Sequence, residues 1–480
     1  MVTRPRTLQT ATLRTLVVAA ALALSAPASA GSAATGWLGD GSGRFEGARV
    51  PSAFSATEGV TWTAATPSWG NASPVVVGDR VCVTSEPATL LCFARATGRE
   101  LWRHAADFGD TVAPSAREQY AREVAQTRKL EAELADAVAA HAKLKRSARK
   151  ARGDRGDIAA QLEAQMAVVT GLREQLERRD QYRDAGNIAY MGRASATPAT
   201  DGRLIYGVFG NGIVLAIGVD GQVAWARFLG RPEQQMNGYH RGQAAAPRLV
   251  DGTLVVALNH LVGLDPKTGA DRWRGDTYLD FGAPVPVQVG GRWFVATPSG
   301  AVVRVSDGEV VAKAKRAVWY ASPIANGSRV YNVGAGQTPQ TLDRDAWALE
   351  LSPAGDGVSI RERWHTTLQN GKTYASPHLH DGILYSIAID GTLAALNADT
   401  GEIFYQERLD LGPSDAVASI VSAGETVVVG AEGGTIARVA TGPTFRILGT
   451  HALAPYRGTP ALVGDTMYIR ALDKLWAISE

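Results

Sequence analysis

The residue types that could do chemistry are few and widely spaced. The two cysteines, Cys82 and Cys92, are symmetric about Pro87 within Ser85-Glu86-Pro87-Ala88-Thr89. Paired strands in that register would set them face to face, about 4.5–5.5 Å apart, a separation that a disulfide spans. Two buried thiols in neighbouring strands are the plainer alternative, and without a Cys-x-x-Cys spacing no redox role is indicated. His378 and His380 alternate onto one face of a strand and His365 is close in sequence. No third ligand stands at a recognisable spacing, so these read as ordinary polar positions and no metal site is expected. The sequence has no Gly-rich phosphate loop, H-E-x-x-H helix or G-x-S-x-G elbow.

The one dense cluster of charge is basic. Lys143, Lys145, Arg146, Arg149, Lys150, Arg152 and Arg155 stand against Asp154 and Asp157. Such a run would dock an anionic partner: an acidic protein, a membrane or envelope surface, or nucleic acid. The alternative is a solvated helix end, where the dipole also favours cations. A net charge of +2 over 480 residues argues against a protein-wide nucleic-acid surface, and no specific nucleic-acid binding is expected.

These residues need elements to position them. From about Ser115 to Arg183 the apolar period is that of a coiled coil. Tyr120, Leu130, Leu134, Ala137, Leu144 and Ala148 fall on one heptad seam, with Glu123, Thr127 and His141 as polar members. Ile158, Leu162, Val169, Leu172 and Leu176 form a second, in which Gln165 is the polar member. Two helices of about thirty residues would make an antiparallel hairpin ~45 Å long, with the basic run at its tip.

The rest of the chain repeats one β-meander. Its clearest copy, Ala246 to Trp273, reads Ala-Pro, a short apolar run, Asp251-Gly252, Thr253 to Ala257, Leu261 to Gly269 and a closing Trp273. Asp-Gly and Thr-Gly pairs supply positive-φ turn positions between β-branched runs, and the Trp offers a flat face to a neighbour. Copies start at Ser73-Pro74, Thr197-Pro198, Ala283-Pro284, Ser322-Pro323, Ser376-Pro377, Ser419-Ile420 and Thr459-Pro460. The fifth reaches Trp364 by way of a longer loop. The last has three strands, and Val60-Thr61-Trp62 is expected to supply its fourth, closing a ring of about eight blades. Gly at 52 of 480, above the usual ~7%, suits so many tight turns.

Cys92-Phe93-Ala94-Arg95-Ala96-Thr97-Gly98-Arg99-Glu100-Leu101-Trp102 and Gly263 to Trp273 resemble the tryptophan-docking repeat of the pyrroloquinoline-quinone (PQQ)-like eight-bladed propellers. That superfamily includes quinoprotein alcohol dehydrogenases and outer-membrane assembly lipoproteins. The resemblance covers roughly residues 58 to 114 and 186 to 480. It implies an all-β, eight-bladed propeller, into which the heptad segment is inserted as an antiparallel helical hairpin, and says little about activity, because one scaffold hosts many.

Ligands of closed propellers sit at the mouth of the central channel, where the innermost strands begin. The residues just before each Ser-Pro-like pair form the expected ring: Trp69 and Asn71, Arg193, His240, Phe281, Trp319 and Tyr320, Tyr374, and Tyr456 with Arg457. Its aromatics and cations suit a carbohydrate, an aromatic or an anionic ligand, or simply pack loop to loop. A PQQ dehydrogenase needs a carboxylate base and a Ca²⁺ site of hard oxygens. The ring has no carboxylate, and Asp280 and Asp415 are isolated, so no catalytic residue is assigned and no cofactor is expected.

Arg4, Arg6 and Arg14 precede the apolar run Leu16 to Leu24, and Ala28-Ser29-Ala30 ends it, the pattern of a cleaved signal peptide. The expected order is a signal peptide (1–30), a lead segment (31–57), closing strand and first blade (58–114), hairpin insertion (115–185) and remaining blades (186–480). No cysteine follows the cleavage site, so the mature protein is expected to be exported, periplasmic or secreted, soluble, and neither a lipoprotein nor membrane-spanning. The reading is a non-enzymatic scaffold that binds protein partners through the propeller face or the arm. Two alternatives stand beside it: a PQQ- and calcium-dependent oxidoreductase, and a carbohydrate or small-ligand sensor.

Overall fold

Asp251 and Gly252 both adopt positive φ, 47° and 70°, and so make the tight turn their types favour. The turn folds Arg248–Val250 onto Thr253–Leu258 with Leu249 opposite Leu254, and His260–Leu264 and Asp271–Tyr278 complete a four-stranded antiparallel sheet. The computed structural model describes residues 34–150, 156–183, 191–232, 244–258, 260–278, 281–335, 344–369 and 371–480. Among them this sheet is one of eight of the same kind, arranged as an eight-bladed propeller. The first strands of adjacent blades touch one another, which places them innermost, around the axis. The eighth blade takes Val60–Ala65 onto Lys474–Ile478, with Thr63 opposite Trp476 and a bulge between Val60 and Trp62. The two ends of the propeller sequence thus share one sheet and the ring closes, leaving only the short outer edge of each blade.

What joins blade to blade is the closing tryptophan. The indole N–H of Trp62, Trp102, Trp225, Trp273 and Trp364 donates to the carbonyl of Arg95, Val219, Pro266, Val305 and Ala398 in the next blade, at 2.7–3.1 Å. Each ring lies over a positive-φ glycine of that blade; at Gly98 or Gly308 a Cβ would run into the indole. The Thr-Gly turn is therefore needed twice, for its backbone shape and for the close approach. Blade 4 ends in Val310–Lys313 and has no such Trp. Its junction to blade 5 is held instead by a long hairpin, Arg344–Ala354 and Gly357–Leu368, whose turn accepts Arg292 Nη2 at Gly355 O and Arg304 Nη1 at Asp356 O, both 2.9 Å. The extra length before Trp364 was expected as loop; much of it is strand, because it has a neighbouring blade to cover.

Cys82 and Cys92 are directly opposite in register, 4.1 Å apart at Cα, and joined as a disulfide. Loop closure over a sequence separation of ten contributes ~2.5 kcal/mol in the chain-entropy picture. Replacing both by alanine is expected to lower the denaturant midpoint to that extent without changing the far-UV spectrum.

The insertion after blade 1 is a helical hairpin, α1 (Arg117–Lys150) and α2 (Gly156–Glu177). The second helix is shorter than expected, at 22 residues against 34. The side chains least exposed along α1 include Tyr120, Glu123, Thr127, Leu130, Leu134, Ala137, His141, Leu144 and Ala148, and along α2 Ile158, Leu162, Gln165, Val169, Leu172 and Leu176. Both seams are as the heptads require, and the polar Gln165 is accommodated by donating Nε2 to Ala137 O across the pair at 3.1 Å. At 1.5 Å per residue α1 is about 50 Å long.

The lead segment has a role that its sequence did not suggest. Thr35 O accepts from Thr200 N, Trp37 O from Arg248 Nη1 at 3.0 Å, and Ser42 O lies 3.2 Å from His378 Nδ1. Gly43 O accepts from Ser422 N, and Phe45 N donates to Ser422 O. Residues 34–45 therefore run from the inner strands of blades 1 and 2 past blade 3 to those of blades 6 and 7, across the axial channel. Leu38, Phe45, Ala48 and Phe54 join the buried core. Arg248 is buried beneath this strap with the Trp37 ring 4.9 Å from its guanidinium carbon, and burial lowers its pKa to about 10.

Candidate functional site

In an antiparallel blade the start of the first strand, the loop between second and third strands and the end of the fourth all lie on one face. The Ser-Pro-like pairs mark that face, and the arm, inserted after the fourth strand of blade 1, rises from it.

The hydroxyls of these pairs link the blades in a relay. Ser73 N donates to Thr197 Oγ1, Ala283 N to Ser322 Oγ, Ser322 N to Ser376 Oγ, Ser376 N to Ser419 Oγ and Ser419 N to Thr459 Oγ1, at 2.8–3.1 Å. Ala246 and Ala283 carry a methyl where the relay needs an acceptor, so the main-chain N–H of Thr197 and of Ala246 do not receive one from the next blade. Among the described residues the relay is thus missing at the junctions of blade 2 with 3 and of blade 3 with 4, and no such bond joins Thr459 N of blade 8 to Ser73 of blade 1.

Inside this ring lies a chamber of about 250 Å³. Trp37 of the lead segment lines it together with Asn71, Phe281, Tyr320, Tyr374 and Arg457 from the blades. Phe281 and Tyr320 are 5.2 Å apart between centroids, and Tyr320 meets Tyr374 edge-on at 4.9 Å, forming an aromatic wall. Small side chains of blades 3 and 4, Ala244 to Ala246 and Ala283, line the other side where the relay is broken. Arg457 Nε donates to Glu432 Oε1 at 2.7 Å, which holds the guanidinium at the rim.

Of the expected ring, Asn71, Phe281, Tyr320, Tyr374 and Arg457 thus meet around one space. Trp69 and Arg193 do not line it. They flank Glu86, a buried carboxylate that accepts from Arg193 N at 2.8 Å and Ala194 N at 2.6 Å. Burial pushes the Glu86 pKa up, against the pull of those amides and of Arg193. Burial, with Arg231 nearby, also lowers Arg193 to about 10. Tyr456 is fully buried against Gly430, away from the mouth, and Trp319 is outside the lining. His240 lies outside the described residues. Glu86 and Glu432 stand apart from the Ser-Pro pairs, in the loop between second and third strands, which reaches the same face and has no motif of its own.

His378 Nε2 and His380 Nδ1 both contact Ser422 Oγ, at 2.8 and 2.9 Å, and His365 Nε2 is 3.2 Å from Asp345. The first two join blade 6 to blade 7, and His378 Nδ1, at Ser42 O, ties the strap to them. Among the described residues no group of three or more His, Cys, Asp or Glu could hold a metal ion. Calcium takes about six to eight oxygen ligands, and the chamber wall offers hydroxyls and one amide but no carboxylate, so the donor set does not fit a calcium-bound quinone.

On the arm, Lys143, Lys145, Arg146 and Arg149 are exposed. Lys150 ends α1; its side chain, with Arg152 and Arg155, lies outside the described residues. The root of the arm is fixed by Arg179, which donates Nε to Thr127 Oγ1 at 3.0 Å and pairs with Glu123, and by Arg183 Nε on Glu131 at 2.9 Å. No helix among the described residues is long and apolar enough to cross a membrane.

The family model described as outer membrane protein assembly factor BamB matches residues 46–261, 257–357 and 354–475. No curated protein matches the sequence. Among solved structures, the computationally designed Ika8 protein is similar at 12% identity and TM-score 0.50, over 87% of this chain and 99% of that one. BamB from Moraxella catarrhalis aligns at 13% identity and TM-score 0.44, over 60% of this chain and 86% of its own. Quinohemoprotein alcohol dehydrogenase from Comamonas testosteroni aligns at 10% and 0.45, over 93% and 80%. At these identities the likeness concerns the fold alone.

Proposed function

We propose that this chain, which belongs to the PQQ-like propeller family of the outer membrane protein assembly factor BamB, is a non-enzymatic scaffold that binds protein partners in the cell envelope or secreted space. The observation that carries this reading is the arm. A 34-residue helix and its partner leave the mouth face from a root pinned by ion pairs, and the ring of blades closes without them. Val138, Met166 and Val168 remain exposed along its length. Exposed apolar side chains on a rigid helical pair, with cations at the tip, are the makings of a contact surface.

The chamber favours a second reading, a sensor for a carbohydrate or other small ligand, since it combines an aromatic wall with main-chain donors that the relay leaves without its hydroxyl. One experiment separates the two. Replacing residues 117–177 by a short linker is expected to abolish crosslinking of envelope proteins through a photoreactive group placed on the propeller's mouth face, with Tm little changed. Retention of the same crosslinked partner by the armless protein would defeat the scaffold reading, and a ligand-induced rise in Tm that survives the deletion would favour the sensor.

A further inference from the structure

A second cleft, of about 450 Å³, lies where the arm meets the propeller, between blades 1 and 2, the first turns of α1 and the chain after α2. Four aromatic rings converge there. Phe108 is 5.9 Å from Tyr120, 5.9 Å from Tyr182 and 5.2 Å from Phe228, the last two edge-on, and Tyr120 is 6.0 Å from Tyr182. The charged side chains on the wall are three guanidinium groups, Arg128, Arg183 and Arg231, and one carboxylate, Asp107. Asp107 Oδ1 accepts from Gly109 N at 2.6 Å as the cap of the 3-10 turn Phe108–Thr111. Behind the wall Asp180 is shared between Arg231 Nε at 3.3 Å and Arg183 Nη1 at 3.7 Å. Arg183 Nε also donates to Glu131 Oε1 at 2.9 Å, so two carboxylates, Asp180 and Glu131, orient the two guanidinium groups at the cleft.

The space is kept open by small side chains. Ala121 and Ala125, one helical turn apart on α1, face Ala88, Ala105 and Ala106 of blade 1 across it. Longer apolar residues such as Leu or Met at the two helix positions would cost little in helix propensity and would close the gap. Clefts of this volume between structural units, walled by aromatic rings with a few converging polar groups, are the usual form of small-molecule sites. A planar carboxylate matches the fork of an arginine, and an aromatic ring packs edge-on among other rings.

From this arrangement we infer that the arm root is a binding site for a small arylalkanoate, its ring packed against the cluster of Phe108, Tyr120, Tyr182 and Phe228 and its acid group toward Arg183 and Arg231. The site is separate from the axial chamber and does not depend on the scaffold reading. It couples occupancy to the arm, because α1, the segment after α2 and two blades each contribute a wall.

The test is calorimetric titration of the full chain with 3-phenylpropionate, 3-phenylpropanamide and 3-cyclohexylpropionate. Saturable one-to-one binding of the first, with the uncharged amide and the saturated analogue each at least ~10-fold weaker, is expected. Arg231→Gln should weaken binding to a similar degree. Because that change also removes a contact to Asp180, Ala125→Trp serves as the independent variant: it fills the cleft from an exposed helix position, and should abolish binding with Tm unchanged. Tyr374→Ala, in the axial chamber, should bind as the parent does. Absence of saturable binding at millimolar 3-phenylpropionate, or equal affinity in Ala125→Trp, overturns the assignment, and loss of binding in Tyr374→Ala would move the site to the chamber.

Discussion

Trp273→Ala is expected to lower the stability of the propeller by about 3–5 kcal/mol, the range for truncating a large buried aromatic side chain. Trp273 is 7% exposed, covers Gly308 of the next blade and donates Nε1 to Val305 O at 2.7 Å. Truncation opens a cavity between two blades and leaves the Val305 carbonyl without this donor. Trp273→Phe keeps much of the packing and gives up the hydrogen bond, and should cost nearer ~1 kcal/mol beyond the lost volume. Gly308→Ala attacks the same contact from the other side, with φ at 78° and a Cβ directed into the indole. In a closed ring each blade is held by both neighbours, so the denaturant midpoint of the whole propeller should fall, not that of one blade. A wild-type midpoint in Trp273→Ala would show that the docking indole is not what joins blades 3 and 4.

The second large effect is acid lability centred on His378. The ring is fully buried, with Nε2 on Ser422 Oγ and Nδ1 on Ser42 O. Burial, then the neighbouring His380 and Arg44, hold its pKa at about 3, against an ordinary value of 6.5 and the opposing pull of the Ser42 carbonyl. The charged groups around it are His380, Arg44 and Asp381, the last two paired at 2.6 Å. The unfolded chain takes up a proton as pH falls through 6.5 while the folded chain takes it up only near 3. Stability from the neutral ring is therefore complete above about 6.5 and declines toward pH 3, by a total on the order of 4 kcal/mol. His378→Gln should lose some stability at neutral pH yet show a flatter Tm profile across that window. Parallel profiles for the two proteins would remove His378 as the cause. Since Ser42 belongs to the strap across the channel, acid should also expose residues 34–45 to exchange or proteolysis before the blades open.

Much of the architecture could be read from local pattern. Asp251-Gly252 fixes a turn through its own backbone preferences, the closing Trp and the Thr-Gly pair recur at blade spacing, and the heptads of α1 and α2 name the side chains that face each other. Closure of the ring by Val60–Ala65 followed from a missing strand at the far end. Each of these signals lies within one repeat or one helix, so the periods of the chain report it directly.

The placement of side chains around the axis was less legible. Asn71, Phe281, Tyr320, Tyr374 and Arg457 converge because their position before the inner strand is the same in every blade. Trp69 and Arg193 stand two residues earlier than that position and turn to the buried carboxylate of Glu86, and Tyr456, one residue earlier, sinks between blades against Gly430, where the absence of a Cβ makes room. Trp37 closes the chamber from a segment outside the repeats, whose contacts pass from blades 2 and 3 to blades 6 and 7 and leave no periodic trace.

The sequence by itself determined the repeat, the blade-to-blade indole contact, the arm with its basic tip and the register of Cys82 with Cys92. All of these depend on neighbours along the chain or on a fixed repeat offset. Only the tertiary structure decided that a strap crosses the channel, that the Ser/Thr relay is broken at Ala246 and Ala283 on one side of the chamber, and that four aromatic rings and three arginines from separate segments share the arm root. Those arrangements rest on contacts between separate elements of the chain, such as Trp37 with Arg248 and Phe108 with Phe228, and packing between elements carries no local period from which it could be read.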